Sequence, residues 1–562
     1  MRKVLRAVLS QVEWAAYLLA IWSLLVLFLE PLISYYYSYS AIQNWTAGAN
    51  LLFLGLAIIS RFVLKPGGAM GKAVWFDIAM LAVGTLLMAL NARIVIFFLL
   101  IRQTFFILDF LIFRLNRGRG YKWLAANPPM SLMLSFMLVI LIGTVLLMLP
   151  VATVRKEVTP FVDALFTATS ATCVTGLTVY DIGSYFSKFG QIVILLLIQI
   201  GGLGIMTVST AFALLLGRNI DLKLKNVMSQ VVGGTNRVNV LHLLKNIVIV
   251  TVSVELVGAL VLLSKFIHGN TLSRAIYLSV FHSVSAFCNA GFSVFPDNMA
   301  GFGNSAIVSL VIPILIVIGG LGFTTIIDLL RYFFKKDRVN SLNLHTKIVL
   351  VTTSVLILGG MIAFMTLEYQ GTMKGFTAPH RFLSSFFQSV TLRTAGFYSL
   401  DFGAMSKAVI FVSMILMFIG ASPGSTGGGI KTTTFAVLGL TMLSLLKGRK
   451  DISVFGRRIP SDNFREAAGL VFLSVAIVFF AVLALLLVEP FSLDKLLFEA
   501  ISAFGTVGLS MGITPFLSPV GRILITILMY VGRIGPLTLI YAFAVRSNKT
   551  NIKFAEETIA IG

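Results

Sequence analysis

Four glycines, Gly176, Gly291, Gly396 and Gly508, recur in four variants of one short phrase: FTATSATCVTGLTVYD, FHSVSAFCNAGFSVFPD, FFQSVTLRTAGFYSLD and FEAISAFGTVGLSMGITP. They stand 115, 105 and 112 residues apart. Each phrase joins a short apolar stretch to a small-residue turn and then to a longer apolar run. A helix of about 11 residues rises only about 16 Å, roughly half the hydrocarbon thickness, so it enters a membrane without crossing it. Non-helical backbone at that depth is tolerated only where protein or a water-filled path surrounds it. Four such loops in one chain predict a pore with pseudo-fourfold symmetry.

The rest of the chain suits lipid. Hydrophobic residues are 57% of the 562 and charged residues 12%, with a mean hydropathy of +0.95, as in polytopic membrane proteins. The formal charge of +22 would suit nucleic acid if it were pooled on one face. Instead the basic residues fall in short clusters between apolar runs, as the positive-inside rule expects, so no nucleic acid is expected as a partner. Cys173 and Cys288 lie inside the phrases without metal-ligand spacing and read as small residues in tight turns. The apolar run near 12–34 is too long, and lacks the small-residue site, for a cleavable signal peptide.

Arg2, Lys3 and Arg6 precede the first run, which predicts a cytoplasmic N-terminus. The uncharged, tyrosine-rich stretch from Ser34 to Trp45 reads as an outer loop. Spans near 47–64, 74–91 and 93–114 follow, so residues 1–115 form a four-span extension. From there the chain reads four times as span, half-helix, glycine turn, span, in units 120–230, 231–340, 341–450 and 451–562. The first unit uses about 130–151, 162–172 and 188–217, and the second about 241–266, 276–287 and 303–334. The third uses about 345–367, 378–390 and 405–446, and the fourth about 466–489, 493–504 and 518–545. The clusters that end the units all fall on the N-terminal side: Arg218 to Arg237, Arg331 to Arg338, Lys447 to Arg458, and Arg546 to Lys553. The expected fold class is therefore an all-α polytopic membrane protein, its four units arranged around one pore inside a lipid bilayer.

A dehydrated monovalent cation needs oxygen dipoles in place of its water, and rings of backbone carbonyls supply them. A glycine lets the turn visit positive φ without a Cβ clash. The half-helices aim partly negative C-terminal ends at the cation. Asp181, Asp297 and Asp401 follow three of the glycines by five or six residues and are expected at the outer mouth, where they would concentrate cations. The fourth phrase carries Thr514 and Pro515 there.

The stretches TATSATCVTGLTVYD, CNAGFSVFPDN, SVTLRTAGF and SAFGTVGLSMGITP resemble the four filter segments of the Trk/Ktr/HKT superfamily of potassium transporters. The ends of the second helices, LIQIGGLGIMT, LIVIGGLGFTT, GASPGSTGGGIKTTT and GRIGPLTL, are similar as well, so the resemblance covers about residues 120–560. It implies potassium uptake across the cytoplasmic membrane through a selectivity filter. Val174, Thr175 and Gly176 would supply the first quarter of that filter, and Asn289, Ala290 and Gly291 the second. Thr394, Ala395 and Gly396 would supply the third, and Thr506, Val507 and Gly508 the fourth. In plant relatives a serine at the first glycine goes with sodium preference, so Gly176 favours potassium. The resemblance also implies a homodimer with one pore per protomer, and a cytosolic ring of nucleotide-binding regulatory proteins of the RCK/KTN type. No G-x-G-x-x-G unit follows a strand here, so a nucleotide would act through that partner. No cofactor is expected, and potassium, the substrate, is the one metal ion expected, at the filter.

The last span of the third unit is interrupted by Gly420, Ala421, Ser422, Pro423, Gly424, Ser425, Thr426, Gly427, Gly428 and Gly429. That many helix breakers cannot continue a helix. A phosphate-binding loop is the tempting misreading, but Ile430 separates Gly429 from Lys431 and no strand precedes. By resemblance the stretch is an intramembrane gating loop beneath the filter, with Lys431 at its end. Arg533, deep in the last span, is costly unless it bonds polar groups, and is expected to bond that loop and add a positive barrier. Arg393 and Glu499, in the third and fourth half-helix regions, are expected to pair with each other and support the filter from behind.

In the extension, Arg93 and Arg102 lack the every-third-residue spacing of a voltage sensor, and Arg102 is expected to pair with Asp77 or Asp109. No nucleophile–base set is evident, so an enzyme is not expected. Two alternatives accompany the potassium channel-like reading. A secondary active transporter coupling potassium to sodium or protons would want an intramembrane carboxylate, for which Glu255 is the candidate. A voltage-gated cation channel would need the extension to move charge.

Overall fold

The computed structural model describes residues 22–23, 39–64, 72–88, 95, 128–204, 240–334, 341–449, 451–536 and 538–539. Arg93, Arg102, Asp109 and the basic clusters at 218–237, 335–338 and 546–553 lie outside the described residues, as do nearly all of the runs at 12–34 and 93–114.

In the extension, α1 (Tyr39–Leu64) packs on α2 (Lys72–Met88), and Ala47, Leu51, Leu54 and Met80 bury into the same core as the units that follow. The stretch expected as an outer loop up to Trp45 is helical from Tyr39 onward. Neither glycine nor proline interrupts 39–47, so nothing there stops the helix.

The first unit consists of α3 (Pro128–Met148), the short α4 (Phe161–Thr172), the single turn α5 (Ile182–Tyr185) and α6 (Lys188–Gly202). The second has α7 (Val240–Phe266), α8 (Leu272–Phe287), α9 (Ala306–Leu321) and α10 (Phe323–Phe333). The third has α11 (Leu344–Leu367), α12 (Ala378–Thr391), α13 (Lys407–Phe418) and α14 (Thr432–Leu446). The fourth has α15 (Ser461–Val488), α16 (Leu493–Gly505) and α17 (Pro519–Ile534). Within each unit the short helix packs on the long helix before it.

Local chemistry sets these boundaries. Pro160 precedes α4 with φ −54°, a value its ring imposes, and Pro379 opens α12. Ser187, Ser406 and Ser518 cap α6, α13 and α17 by accepting the Gly190, Val409 and Gly521 N–H groups at 3.3, 3.4 and 3.1 Å. Each such cap contributes about 1 kcal/mol. In the last two units a glutamate at the end of the first long helix fastens the start of the second. Glu368 accepts from Ser406 N at 2.7 Å and Thr372 N at 3.0 Å, and Glu489 from Ser518 N at 2.9 Å and Ser518 Oγ at 2.6 Å. Burial pushes the Glu368 carboxyl up, but the hydrogen bonds from Ser406 and Thr372 outweigh it and hold the group below its ordinary value of 4.5.

Two features depart from the sequence reading. The span expected over 303–334 is two helices, α9 and α10, meeting at 99°. The joint is Gly322, at φ 90°, which no side chain adopts readily. Between α14 and α15 the chain makes a small antiparallel hairpin, β1 (Ile452–Val454) and β2 (Arg457–Ile459), turned on Phe455 and Gly456 at φ 50° and 72°. Ile452 and Ile459 bury against Ile348, Val437 and Ala467, which is enough to fix it.

Among the described residues, Lys245–Phe266, Leu344–Leu367 and Ser461–Val488 are long and apolar enough to cross a membrane, and the bent α9–α10 pair makes a fourth. Their outer faces leave Leu256, Val355, Phe472 and Leu487 exposed, a surface suited to lipid tails.

Candidate functional site

The ends of α4, α8, α12 and α16 converge. In all four, the residue two before the glycine is left-handed: Val174, Asn289, Thr394 and Thr506, at φ 57°, 60°, 63° and 50°. Side-chain-bearing residues rarely hold that conformation, and strain of this kind collects at functional sites. The glycines follow at φ 97°, 70°, 75° and 89°.

The four turns meet head to tail. A Cβ on Gly176 would stand 2.5 Å from the Ala290 carbonyl oxygen and 3.3 Å from Gly291 Cα. On Gly291 it would be 2.6 Å from the Ala395 oxygen and 2.7 Å from Gly396 Cα. On Gly396 it would be 2.6 Å from the Val507 oxygen and 3.3 Å from Gly508 Cα. On Gly508 it would collide with the Thr175 oxygen and reach within 2.9 Å of Gly176 Cα. The contacts therefore run first to second, second to third, third to fourth and fourth back to first. Backbone oxygens edge this closed ring and no methyl group fits within it.

Hydroxyls in the short helices hold the turns. Ser170 and Ser502 accept the Gly176 and Gly508 N–H groups, each at 3.1 Å, while Ser285 donates to the Phe292 carbonyl at 2.8 Å and Thr391 to that of Phe397. Sequence reasoning passed over them, although a Ser or Thr stands five or six residues before every glycine. Asn298 was missed too: its side chain donates to the Gly291 carbonyl at 3.3 Å and accepts from Tyr398 N at 3.4 Å.

The Gly420–Gly429 segment lies directly against this ring. Its neck closes through Gly420 N to the Ile430 carbonyl at 2.8 Å and Ala421 N to the Gly428 carbonyl at 3.3 Å. It is stitched to the α9–α10 elbow by Ser422 N to Gly320 O at 3.0 Å and Phe323 N to Gly424 O at 3.0 Å. Two turns grip it: Thr506 Oγ1 accepts the Gly428 N–H at 3.0 Å, and the Asn289 side-chain amide meets Thr426 Oγ1 at 3.1 Å. Lys431 Nζ donates to the Gly427 carbonyl at 2.9 Å. Pro423 and Ser425 lie at the tip of the loop, where Ser425 N reaches Ser422 O at 3.3 Å.

Arg533, buried near the end of α17, spreads its guanidinium between two elements. Nη1 donates to the Thr426 carbonyl of the loop and Nη2 to the Gly201 carbonyl at the end of α6. Arg393 and Glu499 do not pair. Arg393 Nη2 donates to the Gly420 carbonyl at 3.4 Å, whereas Glu499 accepts from the Thr514 hydroxyl. Their depths differ: Arg393 lies beyond the C-terminal end of α12, but Glu499 sits six residues before the end of α16, about 9 Å further back along its helix.

On the other side of the ring a cavity of about 290 Å³ opens, lined by Gly176, Gly291, Gly508, Tyr180, Asn298 and Tyr398, with Asp181 and Asp401 at its wall. Asp181 also accepts from Ser184 N at 2.9 Å and Asp401 from Gly403 N at 2.9 Å, so both carboxylates are locally anchored. Asp297 is exposed and outside the lining, where its neighbour Asn298 takes the place. Beside the cavity Asp163 of α4 accepts from Arg522 of α17 and from the Tyr180 hydroxyl at 2.6 Å, a contact that joins the fourth unit to the first.

The chain matches the TrkH cation transport protein family over residues 86–553. It is 40% identical over 450 residues to the Ktr system potassium uptake protein B of Bacillus subtilis (strain 168), covering 80% of this chain and 100% of that relative. It is 38% identical to the potassium/sodium uptake protein NtpJ of Enterococcus hirae, over 78% of this chain and 97% of that one. The solved structure of the potassium transporter TrkH from Vibrio parahaemolyticus has the same fold, with a TM-score of 0.59 at 20% identity, over 84% of this chain and 96% of the other.

Proposed function

Because the chain belongs to the TrkH family of cation transport proteins, within the Trk/Ktr/HKT superfamily, we propose that this multi-pass membrane protein takes up potassium through its own ring of four turns. The observation that carries this reading is the closure of the ring. Gly176, Gly291, Gly396 and Gly508 each face the backbone carbonyl that precedes the next glycine, and the fourth faces the first. Such a ring offers a dehydrated cation oxygen dipoles in place of water. The relatives named above are uptake proteins for potassium, or for potassium and sodium, which supports a transporter rather than an enzyme.

In this reading residues 120–230, 231–340, 341–450 and 451–562 are four pore units and residues 1–115 an extension with its N-terminus in the cytoplasm. Potassium enters from the cavity walled by Asp181 and Asp401 and is stripped at Val174–Gly176, Asn289–Gly291, Thr394–Gly396 and Thr506–Gly508. The Gly420–Gly429 loop is the gate, latched by Arg533 and steadied by Arg393 and Lys431. Each 100 mV across the cytoplasmic membrane supplies about 2.3 kcal/mol per potassium ion. The chain forms a homodimer and answers to a nucleotide-binding regulatory ring; the relative named as a component of a Ktr system supports such a partner.

The test is cation flux into liposomes holding the purified protein, with potassium or sodium gradients and a set potential. Potassium flux that follows the potential alone is expected. Flux that appears only with a second ion gradient overturns the uniport reading in favour of coupled transport.

A further inference from the structure

Glu255 is a buried carboxylate near the middle of α7, and among the described residues no Lys, Arg or His forms an ion pair with it. Its contacts are neutral and come from two other elements. Gln199 of α6 donates from Nε2 to one carboxylate oxygen at 3.4 Å. Cys288 donates from Sγ to the other at 3.7 Å. Ser283 of α8 adds a 2.6 Å hydrogen bond to the Glu255 backbone carbonyl. Cys288 is the C-cap of α8, the last residue before the left-handed Asn289. Gly202 of α6 packs directly on the Cys288 side chain, where a Cβ would stand 2.7 Å from Cys288 Cβ.

The fold does not require a carboxylate here. In the third unit Ser389 donates to the Ile357 carbonyl at 2.6 Å just as Ser283 donates to that of Glu255, so an isoleucine stands at the matching place. A buried carboxylate is costly, so its presence in the second unit where the third has an isoleucine marks a local task. That task is visible in what Cys288 precedes. Asn289 is held at φ 60° while its side chain meets the gating loop, and a strained turn keeps its shape only when its surroundings hold it.

We propose that Glu255 is a positioning residue for ion selectivity: by hydrogen bonding Cys288 and Gln199 together it fixes the base of the second turn, Asn289 to Gly291. The assignment rests on the potassium-translocation reading, and its action is through hydrogen bonding and not through charge at the ion path.

The experiment compares wild type, Glu255→Gln, Glu255→Ala and Gln199→Ala of the full chain in liposomes, reading the ratio of potassium to sodium flux at one set potential. Loss of one such bond corresponds to about a fivefold change, so Glu255→Ala is expected to lower the ratio about fivefold and Gln199→Ala to lower it less. Glu255→Gln, which keeps donors and an acceptor, is expected to stay near wild type. A ratio unchanged in Glu255→Ala, or equally lowered in Glu255→Gln, overturns the proposal.

A second measurement needs no flux. In a Cys173→Ser background, the rate at which a small methanethiosulfonate labels Cys288 reports how firmly the turn base is held. Glu255→Ala is expected to raise that rate about fivefold or more over the parent, and Glu255→Gln is not. Equal labelling in all three overturns the assignment even when wild type carries no current, whereas a silent wild type with the expected labelling strikes the transport reading alone.

Discussion

The hydroxyl of Thr506 accepts the backbone N–H of Gly428 at 3.0 Å, so the side chain of a residue in the fourth turn holds the loop that lies against the ring. Thr506 is at once the C-cap of α16, a left-handed turn residue and a latch. The ring and the Gly420–Gly429 loop therefore meet at one side chain.

Thr506→Val removes that acceptor at nearly constant shape and leaves a buried N–H unpaired. Loosening the closed loop by one hydrogen bond is expected to raise basal potassium flux about fivefold, while Thr506→Ser retains the wild-type rate. Rates in liposomes of matched protein content decide it. Equal flux in Thr506→Val and wild type removes the latch.

Arg533 bonds both Thr426 O and Gly201 O, and so ties the loop to the first and fourth units. Arg533→Ala is expected to raise flux by about tenfold or more, since two hydrogen bonds from a charged group and a positive barrier are lost together. The same assay, with membrane insertion quantified, checks it. An unchanged rate at normal expression would leave Arg533 a packing residue.

Gly176 meets Ala290 O at a distance no side chain tolerates, and its φ of 97° disfavours one as well. Gly176→Ser is expected to splay the first turn from the second and lower the potassium-to-sodium flux ratio about tenfold, from about 1–2 kcal/mol of backbone strain. Competition between rubidium and sodium measures it. A ratio equal to wild type would show that this contact does not shape selectivity.

Arg522 and Asp163 join α17 to α4 with both side chains largely out of water. Asp163→Asn removes the charge and weakens the acceptor for Tyr180 as well, at an expected cost of about 1–3 kcal/mol after discounting for the partly exposed arginine. Thermal unfolding in detergent is the readout. A midpoint equal to wild type would mean the contact contributes nothing to closure.

Glu368 supplies a pH dependence. Its carboxyl lies below 4.5 when folded, so its contribution is present above about pH 4.5 and is lost as pH falls through the folded value. Glu368→Gln is expected to lower the unfolding midpoint at neutral pH and to narrow the gap to wild type in acid. Parallel curves from about pH 7 to pH 3 would contradict this.

The glycine turns were legible because their constraints are local: a short helix, a small-residue run and a positive-φ glycine leave the same trace four times. The broken last span of the third unit was legible for the same reason, since one proline and five glycines within ten residues cannot continue a helix. The elbow at Gly322 escaped because three glycines in LIVIGGLGFTT are too few to interrupt the run by composition, and hydropathy does not register a change of direction. The partners of Arg393 and Glu499 escaped because charge suggests that two residues might meet, but only depth along each helix decides it. Asp163 and Arg522 are 359 residues apart, and no local pattern links them.

The Gly420–Gly429 loop is supplied by one unit and held by the others: Arg533 and Thr506 of the fourth and Asn289 of the second touch it, and Arg533 in turn ties it to Gly201 of the first. Four identical subunits could not build this. Each would push its own loop toward the axis, where there is room for one, and every latch would have to serve as a loop too. Writing the four quarters into a single polypeptide frees each to specialise, so a ring that is nearly symmetric is lopsided beneath, with one loop fastened to the units around it.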